Sequence, residues 1–116
     1  MAFPATYNIN YYEGDTYDFI IYPKTANGAV YSLENYTVDF TIANAVGPNP
    51  TMSFSGEAAI DSSYDYITCR ILPDVGKINL VAGTTYYYDV QISNGSTLRY
   101  TLLKGTISVT ADVTGA

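Results

Sequence analysis

The chain is 116 residues long, the length of one domain, and holds a single cysteine, so its core has to form without a disulfide. Five basic residues against eleven acidic ones give a net charge of −6, which leaves no positive stripe for phosphates and excludes nucleic acid as a main partner. The histidine count is zero, which removes Ser-His-Asp and Cys-His nucleophile pairs and His-containing zinc sites.

Period-2 alternation runs through the whole chain, with helical spacing almost absent. Tyr7, Ile9 and Tyr11 line one face of a first strand, and Tyr17, Phe19 and Ile21 one face of a second, with Asp18 opposite. Asn27-Gly28 then reads as a type I′ hairpin turn. Val38, Phe40 and Ile42 alternate with Asp39 and Thr41, a half-buried antiparallel strand. Gly47-Pro48-Asn49-Pro50 cannot continue it, because proline removes a ladder donor.

Met52 and Phe54 follow, then Ile67, Cys69 and Ile71, which place the thiol on an apolar face as a small buried hydrophobe. Pro73 to Leu80 is the one place where a helical turn fits, with Pro73 opening it and Gly83 beyond. Tyr86, Tyr88, Val90 and Ile92 alternate with Tyr87, Asp89 and Gln91 in the cleanest strand, followed by a second type I′ signal, Asn94-Gly95. Leu98, Tyr100 and Leu102 make the next strand, and Ile107 with Val109 the last, Gly105 marking a turn or bulge between them. The small polar tail from Thr110 to Ala116 is expected to fray or to dock on a neighbour.

About eight short strands with turn signals between them predict one antiparallel two-sheet β-sandwich over residues 1–116. Its core is predicted to include Phe19, Ile21, Phe40, Ile42, Ile67, Ile71, Val90, Ile92, Leu102 and Ile107.

No apolar run reaches the length of a bilayer span, so no membrane partner is expected. Met1 to Asn10 has neither a basic nor an apolar leader region, which predicts synthesis in a cytoplasm. The sequons Asn35-Tyr36-Thr37 and Asn94-Gly95-Ser96 carry no weight there.

Only carboxylates remain as candidate chemistry. Asp15, Asp18, Asp39 and Asp89 fall on or beside strands, where single acids keep sheets soluble and their edges unpaired. Asp61 and Asp65 bracket a Ser-Ser turn that lacks the glycine of a calcium loop. No catalytic residue, metal or cofactor is predicted. The charged fraction, 14 %, is well below the roughly 25 % of an average soluble domain, which suits a surface packed against other proteins. Of the thirteen tyrosines, Tyr12, Tyr22 and Tyr87 lie out of phase with the core set on their strands. They are the candidate protein-interface residues, since a tyrosine ring is apolar while its hydroxyl still finds a partner.

Tyr11 to Tyr22 (YYEGDTYDFIIY), Leu33 to Val38 (LENYTV), Leu80 to Ile92 (LVAGTTYYYDVQI) and Leu103 to Val109 (LKGTISV) follow one another in an order that resembles small virion proteins of tailed phages. These include N-terminal domains of upper-baseplate proteins, and the likeness is greatest to structural proteins of contractile-tailed phages of cyanobacteria. The resemblance implies an immunoglobulin-like sandwich and a non-enzymatic structural subunit of the virion, in the baseplate, the tail or on the capsid surface. Its partners would be other virion proteins and further copies of itself. Upper-baseplate proteins continue into a further domain where this sequence stops at Ala116, which favours a stand-alone structural subunit. The alternative is a carbohydrate-binding module using exposed tyrosines. Against it stand the absence of tryptophan and of any polar cluster recognisable beside the tyrosines.

Overall fold

The computed structural model describes residues 5–25, 27–47, 52–95 and 98–111, less the side chains of residues 77 and 78. Among the described residues nine strands and one short helix follow in the order β1 (Ala5–Thr6), β2 (Ile9–Tyr12), β3 (Tyr17–Ile21), β4 (Thr37–Ala43), β5 (Ser53–Ser55), β6 (Glu57–Ile60), β7 (Ile67–Ile71), α1 (Pro73–Asn79), β8 (Thr85–Ser93) and β9 (Arg99–Thr110). They form two sheets packed face to face, the all-β sandwich that the alternation predicts. The larger sheet runs β1-β9-β8-β4-β5, with β2 also on β9, and the smaller runs β3-β7-β6. Most pairs are antiparallel, but β1 and β2 run parallel to β9 in one register, Ala5 opposite Leu103 and Ile9 opposite Ile107.

The inward phases of β2, β4, β7, β8 and β9 supply the buried core. Ile9 and Tyr11, Phe40 and Ile42, Ile67, Cys69 and Ile71, and Tyr86, Tyr88, Val90 and Ile92 are all buried. Of the predicted core, Phe19 and Ile21 are only half-buried, because β3 is an edge strand. Phe19 still meets Phe40 edge-on at 5.5 Å and lies 6.2 Å from the Tyr88 ring. On the far side the sandwich is closed by the chain itself. It leaves the larger sheet after β5 and enters the smaller one as β6, turning at Gly56, which lies against the Phe40 ring.

Several expectations are corrected. The segment 99–110 is one strand, not two. Its irregularity is a β-bulge at Leu102, where Val90 pairs with Leu103 but Gln91 with Thr101, and both leucines are buried. Gly105 sits in the ladder opposite Tyr88, and its missing side chain makes room for the Tyr7 carbonyl. The first strand is broken at Tyr7-Asn8 above that glycine, so Tyr7 is exposed and not core.

Neither Asn-Gly pair sits at the centre of a type I′ turn: the N–H of Gly28 (φ 83°) donates to the Thr25 carbonyl and so closes its turn, and Gly95 (φ 111°) lies in a wider loop. The second is a longer connection in which the Asn94 side chain accepts from the Leu98 N–H. β6 has no counterpart in the expected elements. The helix falls where predicted, with Pro73 in its first turn. Beyond it, the Val81 N–H donates to the Tyr86 hydroxyl (3.0 Å), tying the start of β8 to the preceding loop. Residues 48–50 of the Gly-Pro-Asn-Pro segment and residues 112–116 of the tail lie outside the described residues.

Candidate interaction surfaces

Tyr12, Tyr22 and Tyr87 are all exposed, as the phase argument requires, but they do not form one patch. Tyr87 lies on the outer face of the larger sheet, level with Thr106 of β9. Tyr12 pairs with Thr110, four residues or about 13 Å further along the same strand. Tyr22 follows β3 in the other sheet, its ring 5.6 Å from that of Tyr66. Two surfaces that the sequence does not announce organise the exposed residues instead.

The first is a seam between β1 and β3, the two strand edges on one flank of the sandwich. Tyr7, Phe19, Ile20, Ile21, Tyr22 and Leu103 line a depression there of about 360 Å³. Tyr7 reaches it because of the break over Gly105. Its hydroxyl shares a 2.7 Å hydrogen bond with Tyr17, and its carbonyl accepts from the buried Tyr88 hydroxyl at 2.6 Å. Burial, then the hydrogen bond to Tyr7, pushes the Tyr17 hydroxyl up to about 12. The Tyr17 phenol therefore stays neutral and acts as a hydrogen-bonding group. Ile20 and Tyr22 remain about half exposed, at 49 % and 57 %.

The second surface is an open trough of about 670 Å³ on the outer face of the larger sheet. Strand register builds its floor. One row of cross-strand neighbours runs Thr6, Lys104, Asp89, Thr41 and the next runs Thr106, Tyr87, Ala43, Ser53. Asn8 extends the second row, its side-chain oxygen accepting from the Thr106 N–H and hydroxyl at 3.2 Å. Short side chains on β4 and β5 keep the floor low, while Ala45, Val46 and Gly47 line it from the β4–β5 loop.

Asp89 and Lys104 face each other in the ladder yet make no ion pair; among the described residues the ion pair is Asp18 with Arg70, at 2.7 Å on the other sheet. Among the described residues Asp89 accepts only a long 3.5 Å bond from Gln91, and burial holds its carboxyl above the usual range. A polar cluster thus does accompany one tyrosine, Tyr87, contrary to the expectation from sequence. Alternation places Asp89 on the outer face, but only the pairing of β8 with β9 and β4 brings Lys104 and Thr41 beside it.

The remaining candidates have local roles. Asp61 accepts from the Ser63 N–H (3.0 Å) and hydroxyl (2.5 Å), and these bonds hold its carboxyl below the usual range. Its lone pairs are engaged in a turn. Cys69 is fully buried, and desolvation pushes its thiol up to about 12. No protein-family model matches the chain, and no curated protein matches it.

Proposed function

We propose that the chain is a non-enzymatic structural subunit of a tailed-phage virion, made in the host cytoplasm and assembled by protein–protein contacts that include further copies of itself. The observation that carries this reading is the apolar seam, where Ile20 and Tyr22 stand exposed beside Tyr7, Phe19 and Leu103 along two strand edges. Exposed apolar side chains at an edge favour association, and open edges add main-chain hydrogen bonds to a neighbour. The phage assignment rests on the resemblance of the four sequence stretches.

An immunoglobulin-like identity for the sandwich belongs to the same proposal. It is supported by the β3-β7-β6 and β9-β8-β4 orders and by the Tyr86 hydroxyl bonded back to the Val81 backbone at the start of the penultimate strand.

Fractionating purified particles into capsids and tails, with detection of this chain in each, tests the role directly. Sedimentation velocity tests the surface. The free chain is expected to self-associate, and the double variant Ile20→Thr/Tyr22→Ser to sediment as a monomer and to be excluded from particles. Absence from both fractions, or normal incorporation of the double variant, would overturn the proposal.

A further inference from the structure

Beyond assembly through the seam, we propose that the trough on the outer face of the larger sheet binds a neutral saccharide chain. β9, β8 and β4 each have a neighbour on both sides, so their main-chain groups are engaged in ladders and the floor addresses a ligand through side chains. Those side chains offer both senses of hydrogen bond within two adjacent rows. Asp89 only accepts, Lys104 only donates, the hydroxyls of Thr6 and Thr41 do either, and that of Thr106, its hydrogen already given to Asn8, accepts. A sugar hydroxyl, which donates and accepts at once, can answer neighbours of both kinds. The Tyr87 ring, 38 % exposed, supplies the apolar plane against which the C–H face of a pyranose can rest.

Other ligand classes fit less well. An apolar molecule would desolvate Asp89 and Lys104 without replacing their hydrogen bonds with water. An anion meets Asp89 and a net charge of −6, and a cation meets Lys104 directly opposite Asp89. The dimensions also suit a chain. Five neighbouring strands about 4.8 Å apart span roughly 19 Å across the sheet, room for several linked rings lying across the strands.

The full chain on an array of neutral and uronic-acid glycans, followed by calorimetry with the best neutral hit, tests this. Saturable binding of a neutral oligosaccharide is expected, with Kd near or below about 1 mM. Asp89→Asn, which preserves size, and Thr41→Gln, which raises the floor, should each weaken it at least about tenfold. Tyr22→Ala, at the seam, should leave it unchanged, which separates this site from the assembly surface. The proposal is overturned if no neutral glycan binds, if acidic glycans bind equally well, or if binding survives both trough variants in chains whose circular dichroism is native.

Discussion

Truncating Phe40 to alanine tests the packing that unites the two sheets. The ring is 1 % exposed, lies edge-on to Phe19 at 5.5 Å and to Tyr88 at 5.7 Å, and is covered by the turn at Gly56. Loss of a buried phenylalanine costs about 3–5 kcal/mol through transfer and cavity terms, a range that already contains its contacts with neighbouring rings. The β7 and β8 strands flanking the site are held in ladders on both sides, so collapse into the void is restricted and the upper half of the range is expected. A domain of this size has about 5–15 kcal/mol in total. An unfolding entropy near 2.1 cal/mol/K per residue, over 116 residues, converts about 4 kcal/mol into a fall in Tm of roughly 16 °C. Urea titration followed by far-UV circular dichroism measures the loss, with an unchanged m-value as the check that the unfolded state is unaltered. A loss below about 1 kcal/mol would mean that Phe40 does not face the interior and that the phase assigned to β4 is wrong.

Three further outcomes follow from particular residues. Gly105→Ala should destabilise by about 1–3 kcal/mol, because the added methyl runs into the Tyr7 carbonyl; amide exchange at Thr106, whose N–H donates to Asn8, should accelerate, and unchanged exchange would refute the close approach. Cys69 should resist a thiol reagent at pH 8 until urea unfolds the chain, since burial pushes the thiol up to about 12; labelling of the native protein at the rate of a free thiol would contradict that burial. Asp89 has its carboxyl raised by desolvation, so between the ordinary aspartate range and the folded value the folded chain holds a proton that the unfolded chain has released. Its contribution to stability is therefore most favourable at low pH and declines as pH rises from the ordinary aspartate range through the folded value. Relative to Asp89→Asn, the parent should lose stability over that window, and parallel pH profiles would show that the carboxyl is not desolvated.

The strands were legible where one face is dry and the other wet. In β4, Phe40 and Ile42 are buried between exposed Asp39 and Thr41, and β8 reads the same way, so a period of two emerges from burial itself. Alternation misleads where a tertiary neighbour changes what a residue is for. Tyr7 belongs by alternation with Ile9 and Tyr11, but the chain breaks at Tyr7-Asn8 over Gly105 and the ring goes to the seam. Leu102 and Leu103 are both buried because a bulge moves one residue out of step, and no local pattern signals that. β6 was hidden in Glu57-Ala58-Ala59-Ile60, whose alanines carry too little apolar contrast to mark a phase.

The two proposed surfaces are hidden for a related reason, because each is made by register and not by spacing along the chain. Asp89 and Lys104 are fifteen residues apart, and Thr6 enters the same row only because β1 runs parallel to β9. A slip of one residue between β8 and β9 would turn Lys104 away from Asp89 and set Leu103 in the trough. The same pairing directs the other surface. Parallel docking of the first strand on β9 sets Tyr7 over Gly105, which frees its ring for the seam and leaves Asn8 to bond Thr106 at the trough. The close approach at Gly105 therefore positions one residue of each surface, whereas Ile20 and Tyr22 belong to the seam alone and Asp89 and Thr41 to the trough alone. Substitutions at those four separate the two proposed activities, while Gly105→Ala should impair both.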